Sequence, residues 1–334
     1  MSSERIDKEN KIKDKVKGAI LGCAIGDAFG MPFEGLSKEQ IKQFYGKVPV
    51  NYQDSIHSRH TKGVKRGGYT DDTQLTLATI DSLLEKQKDV NVEDMGSRFV
   101  ELYKNKQLIG AGRSTKFALK NILKGVSAYK SGLEDAYGCG AAMRISPVAM
   151  LPTSGHERNH IFYDVAGITH RNVIGFESAY IFGSDVSGLV FYDDFADRYN
   201  EILSTENNSL AIDNSLKKFS VSEKIANNIE FIDEPMSDLA KHIGTSGLAN
   251  ESVVYAMFSF AKEQDDFEKL LIQSVEQGGD TDSIASMAAT LFGAANGFSK
   301  LPNKYVINLQ NTHEIQDKAD QFAELVVYYM DYLS

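Results

Sequence analysis

The 334-residue sequence contains little cysteine, little proline, no tryptophan and no excess of positive charge. Its two cysteines, Cys23 and Cys139, have neither the spacing of a metal-binding motif nor that of a disulfide framework. So low a cysteine content is typical of a reducing compartment, and we expect a cytoplasmic protein. The net charge of −10 and the isoelectric point near 5.3 argue against a broad nucleic-acid footprint, which requires a surface rich in lysine and arginine. Stable nucleic-acid binding is therefore not expected.

The sequence predicts neither a targeting signal nor a membrane-spanning segment. Residues 1–15, MSSERIDKENKIKDK, are too charged for a secretory signal. The most apolar early run, AILGCAIGDAFGMPF, is interrupted by Asp27 and is shorter than a bilayer span. We therefore expect no association with a membrane.

Apolar residues recur at helical spacing through most of the chain, and strand patterns are rare. Leu77, Ile80 and Leu84, for example, are spaced i, i+3, i+7, which places them on one face of a helix. The sequence predicts an all-α fold, a single compact orthogonal helical bundle over residues 12–333. A charged N-terminal tail, residues 1–11, precedes the bundle. We expect a monomer or a weak dimer.

Two stretches of the predicted bundle interrupt its helices. Residues 46–68 are long for a connection without secondary structure, which is typical of a functional loop or flap. The polar residues 204–209, STENNS, form the second break. By contrast, the run TDSIASMAATLFGAANGF at 281–298 is apolar or small on nearly every face. This composition predicts a helix that packs on several sides.

A Gly-Gly pair followed by two near-adjacent aspartates occurs twice, in GGYTDDTQ (67–74) and in GGDTDS (278–283). Helix capping explains part of this pattern, with Asp71 at one N-cap, Gln74 completing a capping box, and Asp280 at the other N-cap. Each motif then has one aspartate more than capping needs. The repetition favours a second interpretation, in which the two stretches meet in space and build one site.

The candidate site combines carboxylates with hydroxyl groups. Together with the glutamate of GMPFEG, it contains five acids: Glu34, Asp71, Asp72, Asp280 and Asp282. A cluster with a charge of −5 needs cations to stay ionised in a cleft, and two divalent ions supply +4. Oxygen ligands are those that Mg²⁺ or Mn²⁺ prefers, whereas zinc recruits histidine or cysteine. We therefore predict a dinuclear metal site at the heads of two facing helices.

Five segments carry a resemblance to a known family. In chain order they are GAILGCAIGDAFGMPFEG, YTDDTQLTLA, YGCGAAMRISPVAM, ITHRN and GGDTDSIASMAATLFGAANG, spread from about residue 17 to residue 298. The set resembles the ADP-ribosylglycohydrolase family. The resemblance implies an all-α fold with two Mg²⁺ ions, for which Mn²⁺ can substitute. It also implies hydrolysis of the bond between ADP-ribose and its acceptor.

The resemblance also implies which residues bind the metals. The family's metal ligands match six positions of this sequence: Thr70, Asp71, Asp72, Asp280, Asp282 and Ser283. The last of these is usually threonine in the family. A serine keeps the hydroxyl ligand and loses only a methyl group, so we expect the metal site to be retained.

Substrate-binding positions follow from the same resemblance: Glu34, Tyr137, Gly138, Cys139, Gly140 and His170. Glu34 matches an acidic residue that closes over the substrate ribose on a mobile loop. Tyr137 would stack on adenine, and the following glycines would let backbone N–H groups approach the diphosphate. His170 matches a histidine that contacts phosphate. The stretch IGAGRST (109–115) resembles another substrate-side loop of the family.

The expected activity is release of ADP-ribose from a modified protein side chain or a related acceptor. Glu34, Asp71 and Asp282 would carry the catalytic step, with the choice of general base left open. The acceptor also stays open between arginine, serine, a nucleic-acid end and O-acetyl-ADP-ribose. The main alternative is a non-catalytic protein that binds ADP-ribose on the same fold.

A further alternative rests on the pattern H-E-x-x-H, which His156 and His160 satisfy and which is typical of zinc peptidases. The first histidine follows Pro152 and Gly155, which predicts a position at a helix start rather than inside a helix. Glu177 is the candidate for a third ligand. We interpret the histidines as residues of a polar helix face.

Overall fold

The chain folds into fifteen α-helices within the part that the computed structural model describes, residues 3–87, 89–153, 155–192 and 212–333. In chain order these are α1 (Ser3–Gly30), α2 (Lys38–Tyr45), α3 (Asp71–Lys86), α4 (Val92–Lys104), α5 (Arg113–Leu123), α6 (Ser146–Ala149), α7 (Gly155–Gly167), α8 (Val173–Tyr192), α9 (Val221–Ala226), α10 (Met236–Ile243), α11 (Ala249–Lys262), α12 (Phe267–Val275), α13 (Thr281–Asn296), α14 (Asn303–Asn308) and α15 (Thr312–Leu333). Short 3₁₀ turns at Met31–Phe33, Cys139–Ala141 and Lys217–Phe219 lie near the site described below.

The predicted all-α fold is confirmed. In the described ranges, β-structure is limited to three isolated bridges, one of which joins Ser37 to Gly278. The predicted break at residues 204–209 lies outside the described residues. Helix α1 begins at Ser3 and crosses the predicted boundary at residue 12 without interruption, so residues 3–11 form its first turns.

The segment Ser3–Phe33 is long and apolar enough to cross a membrane, which the short apolar run in the sequence did not indicate. However, 94% of its most apolar window is buried inside the fold. This burial is typical of a core helix, and its neighbour in the core is α13.

Helices α1 and α13 lie against each other with almost no side chain between them. Four glycines at intervals of four residues form the contact face of α1: Gly18, Gly22, Gly26 and Gly30. A Cβ atom added at Gly26 would lie 2.1 Å from the carbonyl oxygen of Ala285, and one at Gly22 would lie 2.1 Å from that of Ala289. Moving four residues forward on α1, from Gly22 to Gly26, moves the contact four residues back on α13, from Ala289 to Ala285. The two helices are therefore antiparallel. The C-terminal end of α1 therefore meets the N-terminal end of α13.

Helix α13 is buried on all sides, as its composition predicts. Every residue from Thr281 to Ala294 is buried, and α1, α11 and α12 pack around it. Its first turn contains Asp282, which is only 5% exposed. An ionised carboxylate at such a position needs a partner, because an unpaired buried charge is strongly destabilising.

Residues 46–68 form a loop without helix that is held by its own hydrogen bonds, and we call it the basic loop for the charges described below. The backbone N–H of Ser55 donates to the Val64 carbonyl at 2.9 Å, and the Gly63 N–H donates to the Ser55 carbonyl at 2.8 Å. The Thr61 hydroxyl donates to the carbonyl of Met31 at 2.8 Å. The loop is thus attached to the turn that leads from α1 to Glu34.

Substitution of Gly26 by alanine should weaken the α1–α13 contact. The new methyl group would meet a backbone carbonyl that has no alternative position, so we expect the free energy of unfolding to fall by about 3 kcal/mol, as for other overpacked cores. Urea denaturation followed by circular dichroism measures this change. Gly167→Ala is the matched control, because this helical glycine has open space where the methyl group would lie. That control should be neutral or slightly stabilising, and equal losses in the two variants would contradict the role of the contact.

Candidate active site

The two acidic motifs meet at the heads of α3 and α13. Thr70 is the N-cap residue of α3, and Asp280 is the N-cap residue of α13. The hydroxyl of Ser283 lies 3.4 Å from Oδ2 of Asp72, so a residue of one motif contacts a residue of the other across 211 positions of sequence. The interpretation that the two stretches meet in space agrees with the structure. Both helix N-termini direct their positive dipole ends toward the carboxylates.

Glu34 joins the same cluster from the segment that follows α1. One ligand oxygen from each of Glu34, Asp280 and Asp282 lies within 4.8 Å of the others, a spacing suited to a shared cation. The Oε2 atom of Glu34 also accepts a hydrogen bond of 3.0 Å from the backbone N–H of Thr281. Glu34 therefore satisfies a backbone donor at the head of α13.

The capping interpretation of the two motifs is wrong in its details. At the head of α3 the N-cap is Thr70, not Asp71, and its side chain makes no capping hydrogen bond. Gln74 does not complete a capping box, because its side chain binds the backbone of Gln107 and Ile109 at 2.9 Å each. Asp280 is the N-cap of α13, but its side chain does not cap either. Capping therefore does not account for the aspartates of either motif.

A sixth carboxylate, Asp27 of α1, organises the head of α3 and was not among the predicted site residues. Asp27 is fully buried and accepts hydrogen bonds from both the backbone N–H and the hydroxyl of Thr70, at 2.8 to 3.0 Å. It accepts two more from the N–H and hydroxyl of Thr73, at 3.0 and 2.6 Å. The sequence did contain a signal, because a carboxylate within an apolar helix must find donors or a counter-charge.

Burial and mutual repulsion disfavour ionisation throughout the cluster. Burial, reinforced by the negative charge of Asp280, raises the pKa of Glu34 to about 8. Burial and the charge of Asp27 raise the pKa of Asp71 to about 8. Burial, and after it the charge of Asp27, raises the pKa of Asp72 well above its ordinary value, and burial followed by the charge of Glu34 does the same for the pKa of Asp282.

The donor set of the cluster fits a divalent cation that prefers oxygen ligands. The Oδ1 atom of Asp72 is buried and has no hydrogen-bond donor among the described residues. A buried carboxylate oxygen without a donor is costly, and a cation would satisfy it. The surrounding ligand atoms are carboxylate and hydroxyl oxygens, which suit Mg²⁺ or Mn²⁺.

Backbone hydrogen bonds clamp the segment after Glu34 to the turn that precedes α13. The Gly35 N–H donates to the carbonyl of Gly279, and the Gly279 N–H donates to the carbonyl of Leu36, both at 2.9 Å. Gly279 has a φ of +94°, and a Cβ there would lie 2.0 Å from the Thr245 carbonyl, so only glycine fits. We call this pair of hydrogen bonds the Gly35–Gly279 clamp.

The predicted substrate loop, residues 137–140, lies beside the carboxylates. The Cys139 thiol donates to Oδ2 of Asp280 at 3.2 Å, and the Cys139 N–H donates to the carbonyl of Gly247 at 3.1 Å. Burial, together with the charges of Asp280 and Asp72, raises the pKa of this thiol well above its ordinary value. Cys139 is therefore a protonated hydrogen-bond donor rather than a nucleophile.

His170 lies behind this loop. A Cβ added at Gly140 would lie 2.8 Å from its Cε1 atom, and one at Gly138 would lie 3.7 Å from its Nε2 atom. Its Nδ1 atom shares a hydrogen bond of 2.8 Å with the hydroxyl of Thr169. Burial and the nearby Arg144 guanidinium lower the pKa of His170 to about 3, so the imidazole is neutral. Contact with a phosphate stays a prediction, and the structure shows a histidine that supports the loop.

The ring of Tyr137 is already stacked on one face. Phe219 lies parallel to it, with the ring centroids 4.3 Å apart and an angle of 2° between the planes. An adenine stacked on Tyr137 must therefore use the opposite face, or else displace Phe219. No motif in the sequence pointed to Phe219, which follows two lysines in a polar stretch.

The stretch 109–115 also contacts the first acidic motif. The N–H of Asp71 donates to the carbonyl of Ile109 at 2.8 Å. Gly110 has a φ of +84°, and a Cβ at this position would lie 2.9 Å from Oδ1 of Asp71. A side chain there would press on a candidate ligand, so glycine leaves room for this carboxylate.

The structure does not assemble a zinc-peptidase site from the histidine motif. His156 is the second residue of α7 and is exposed, as is His160. The proposed third ligand, Glu177, is 4% exposed, and its carboxylate accepts hydrogen bonds from Ser220, Val221 and Ser222 at the start of α9. Glu177 is therefore occupied with holding that helix.

Comparison with known proteins gives a consistent result. The sequence model of the family described as ADP-ribosylglycohydrolase matches residues 8–330. The chain is 24% identical to the ADP-ribosylhydrolase ARH3 of Xenopus tropicalis over 343 residues, covering 93% of this chain and 95% of that protein. It is 27% identical to the ADP-ribosyl-dinitrogen reductase glycohydrolase of Rhodospirillum rubrum over 322 residues, covering 94% and 97%.

A solved structure supports the same fold. The chain superposes with a TM-score of 0.72 on a structure described as an ADP-ribosylglycohydrolase-related protein complex, covering 95% of this chain and 99% of that one. The sequence identity of the pair is 23%, so the likeness concerns the fold alone.

Replacement of Asp27 by alanine should destabilise the protein more than the loss of an ordinary helix cap. Two fixed backbone donors and two hydroxyls would lose their acceptor in a buried place, so we expect the free energy of unfolding to fall by about 3 kcal/mol or more. Asp266→Ala is the matched control, since Asp266 caps α12 at the surface through the Lys269 N–H. That loss should be about 1 kcal/mol. Urea denaturation of both variants measures the two losses in the free energy of unfolding. A loss for Asp27→Ala that is no larger than the loss for Asp266→Ala would contradict the role of Asp27.

Proposed function

The chain belongs to the ADP-ribosylglycohydrolase family, and we propose that it is a magnesium-dependent hydrolase that releases ADP-ribose from a modified protein side chain or a related acceptor. The family makes the chain a glycosyl hydrolase of ADP-ribosyl bonds. The observation that carries the finer proposal is the convergence of both acidic motifs and Glu34 in one buried cluster.

We assign two Mg²⁺ ions to ligands from the heads of α3 and α13. The ligands are Thr70, Asp71, Asp72, Asp280, Asp282 and Ser283. When bound, the ions supply positive charge that offsets the carboxylates and polarises oxygen groups of the substrate. The unsatisfied Oδ1 atom of Asp72 and the oxygen-only donor set support this assignment.

Glu34 lies beside Asp280 and Asp282 in the cluster but is not one of these six proposed ligands. It follows α1 at the edge of the site and is less buried than Asp71 and Asp72. In the proposed reaction one Glu34 oxygen takes a proton from the attacking water while the other stays bound to the Thr281 N–H. Water adds its hydroxyl to C1″ of the ribose, the bond from C1″ to the acceptor breaks, and the acceptor gains the proton that Glu34 took from the water.

The loop at 137–140 would hold the adenosine and diphosphate. Its two glycines, Gly138 and Gly140, have no side chain and are partly exposed, so we expect backbone N–H groups there to approach phosphate oxygens. Adenine would stack on the Tyr137 ring face opposite Phe219, and Phe219 would hold the ring in place. The Cys139 thiol donates a hydrogen bond to Asp280, so a movement of this loop on substrate binding would reach a proposed metal ligand.

Turnover separates this proposal from the alternative of a non-catalytic ADP-ribose-binding protein. Proteins ADP-ribosylated on arginine, on serine and on other known side-chain types are incubated with the enzyme and Mg²⁺, and released ADP-ribose is measured. A hydrolase releases ADP-ribose from at least one of them and thereby reveals its acceptor. Binding of ADP-ribose without release from any acceptor would establish the alternative.

Asp71→Asn and Asp282→Asn should each abolish hydrolysis while the helical content is unchanged. Each change removes the charge of a proposed ligand, and metal ligation supplies several kcal/mol to such reactions. Asp317→Asn, an exposed change on α15, is the control and should keep full activity. A rate above roughly a tenth of the wild-type value in either ligand variant would contradict the assignment.

Removal of the metals should lower the melting temperature by several degrees. A ligand at a hundredfold excess over its Kd stabilises by about 2.7 kcal/mol, and each kcal/mol moves the melting temperature of a chain this size by roughly two degrees. Differential scanning fluorimetry with a chelator, followed by added Mg²⁺ or Mn²⁺, measures the loss and its recovery. If the chelator leaves the melting temperature unchanged, and the treated protein is shown to be metal-free, the dinuclear site is refuted.

The loss on chelation should depend on pH. The pKa values of Glu34 and Asp71 are raised to about 8 in the fold and are near 4 in the unfolded chain, so between these values the folded protein binds more protons than the unfolded one. The stability of the chelated protein must therefore fall as pH rises from about 4 to 8. We expect the difference in melting temperature between chelated and Mg²⁺-loaded protein to be larger at about pH 8 than at about pH 5. A difference that grows toward low pH would contradict this electrostatic account.

A further inference from the structure

The basic loop, residues 46–68, is strongly cationic although the chain as a whole is acidic. It contains five lysines and arginines against one acid: Lys47, Arg59, Lys62, Lys65 and Arg66 against Asp54. Its net charge is therefore +4 in a chain of −10, so the rest of the chain carries −14. Such a cluster of cations in an acidic protein can attract an anionic partner.

The structure positions this loop at the mouth of the carboxylate site. His60 lies against Gly35, where a Cβ would be 3.0 Å from its imidazole Cδ2 atom. Thr61 is attached by its hydroxyl to the Met31 carbonyl. The C-terminal end of the loop leads from Arg66 to Asp71 in five residue-to-residue steps, which span at most about 18 Å. The C-terminal half of the basic loop, from His60 onward, is thus held within reach of the reacting centre.

An open cavity of about 730 Å³ lies on the cationic side of the loop. Lys62, Lys65 and Arg66 line it together with Ile109 and Gln310. Ile109 is shared with the site, because its carbonyl accepts the N–H of Asp71. The cavity and the carboxylate cluster therefore lie on the two sides of one backbone segment.

Two of the three cations are available to an anionic ligand. Lys65 forms an ion pair of 3.2 Å with Asp54, whose other oxygen accepts the backbone N–H of Arg66. Within the described ranges, neither the Lys62 ammonium nor the Arg66 guanidinium lies within 4.0 Å of a carboxylate. The loop holds its shape through Asp54 and Lys65 and leaves the other two charges to solvent.

We propose that the basic loop is the acceptor-binding element and that it recognises an acidic peptide segment next to the ADP-ribosylated residue. This inference rests on the proposed hydrolase function and adds the class of acceptor to it. The Lys62 and Arg66 side chains pair with carboxylates of the peptide while the ADP-ribosyl group enters the site. A cavity lined by three cations fits a short peptide with a few carboxylates, whereas the chain's net charge of −10 opposes the extended footprint that a nucleic acid requires.

Two ADP-ribosylated peptides of equal length test the proposal. Both carry ADP-ribose on the same residue, of a side-chain type that the wild-type protein hydrolyses, but one has glutamates at the flanking positions and the other has glutamines. We expect the wild-type kcat/KM to favour the glutamate peptide by about tenfold at low salt, since a few exposed ion pairs suffice for that ratio. The preference should shrink in roughly 0.5 M salt, because screening weakens exposed charge pairs.

Charge-reversal variants locate the source of the preference. Lys62→Glu and Arg66→Glu should each lower kcat/KM for the glutamate peptide several-fold and leave that for the glutamine peptide nearly unchanged. Lys8→Glu is the matched control, since it changes the net charge equally on an exposed turn of α1 about 33 Å along the helix from Gly30. It should behave like the wild type on both peptides.

Two outcomes would overturn the proposal. Equal losses on both peptides would mean that the cations act on the carboxylate cluster and not on the acceptor. Preferred turnover of an ADP-ribosylated oligonucleotide end, lost in the same variants, would assign the loop to nucleic acid.

Absence of turnover of any peptide by the wild type would instead refute the proposed function. Fluorescence anisotropy with the same labelled peptides still tests the loop in that case, because equal affinity for both peptides would refute acidic recognition without any reference to catalysis.

Discussion

The close contact between α1 and α13 is the constraint on which the rest of the structure depends. Glycines at every fourth position of α1 let the backbones of the two helices meet, and the antiparallel direction brings the end of one to the head of the other. Glu34 and the second acidic motif become neighbours for this reason, although some 250 residues separate them in sequence. The buried Asp27 on the same helix then fixes the head of α3, so one helix positions all three sources of site residues.

Carboxylates from distant elements take over the role that local capping residues have in most helices. Asp27 accepts the Thr70 and Thr73 N–H groups at the head of α3, and Glu34 accepts the first N–H of α13. The aspartates of the two motifs are thereby left to face each other across the site. Their raised pKa values show how unfavourable that arrangement is for the ionised groups alone, with burial as the main cause in each case. An arrangement of this kind sacrifices stability in one place so that charge is concentrated where a cation and a substrate can use it.

Much of the fold and the central part of the site could be predicted from the sequence, because both depend on repeated local patterns. Helical spacing predicted the all-α architecture, and the duplicated acidic motif predicted that two distant stretches meet. The capping box with Gln74 was wrong, since a propensity rule sees only neighbours and the acceptor, Asp27, comes from another helix. The stack of Phe219 on Tyr137 depends on tertiary placement alone, so no sequence pattern announced it. Glu177 likewise resembled a ligand until its three hydrogen-bonding partners at the start of α9 were known.

The basic loop differs from the rest of the site in how it can change during evolution. One residue inserted between Gly18 and Gly30 would rotate everything beyond it by about 100° around the helix axis and move Asp27 and Glu34 out of place. The segment that carries the chemistry therefore tolerates no change in length. The loop at 46–68 lies outside any helical register and is closed by its own hydrogen bonds, so it can lengthen, shorten or exchange charges while the cluster stays intact. Relatives that share one reaction centre can in this way diverge in the acceptors they accept.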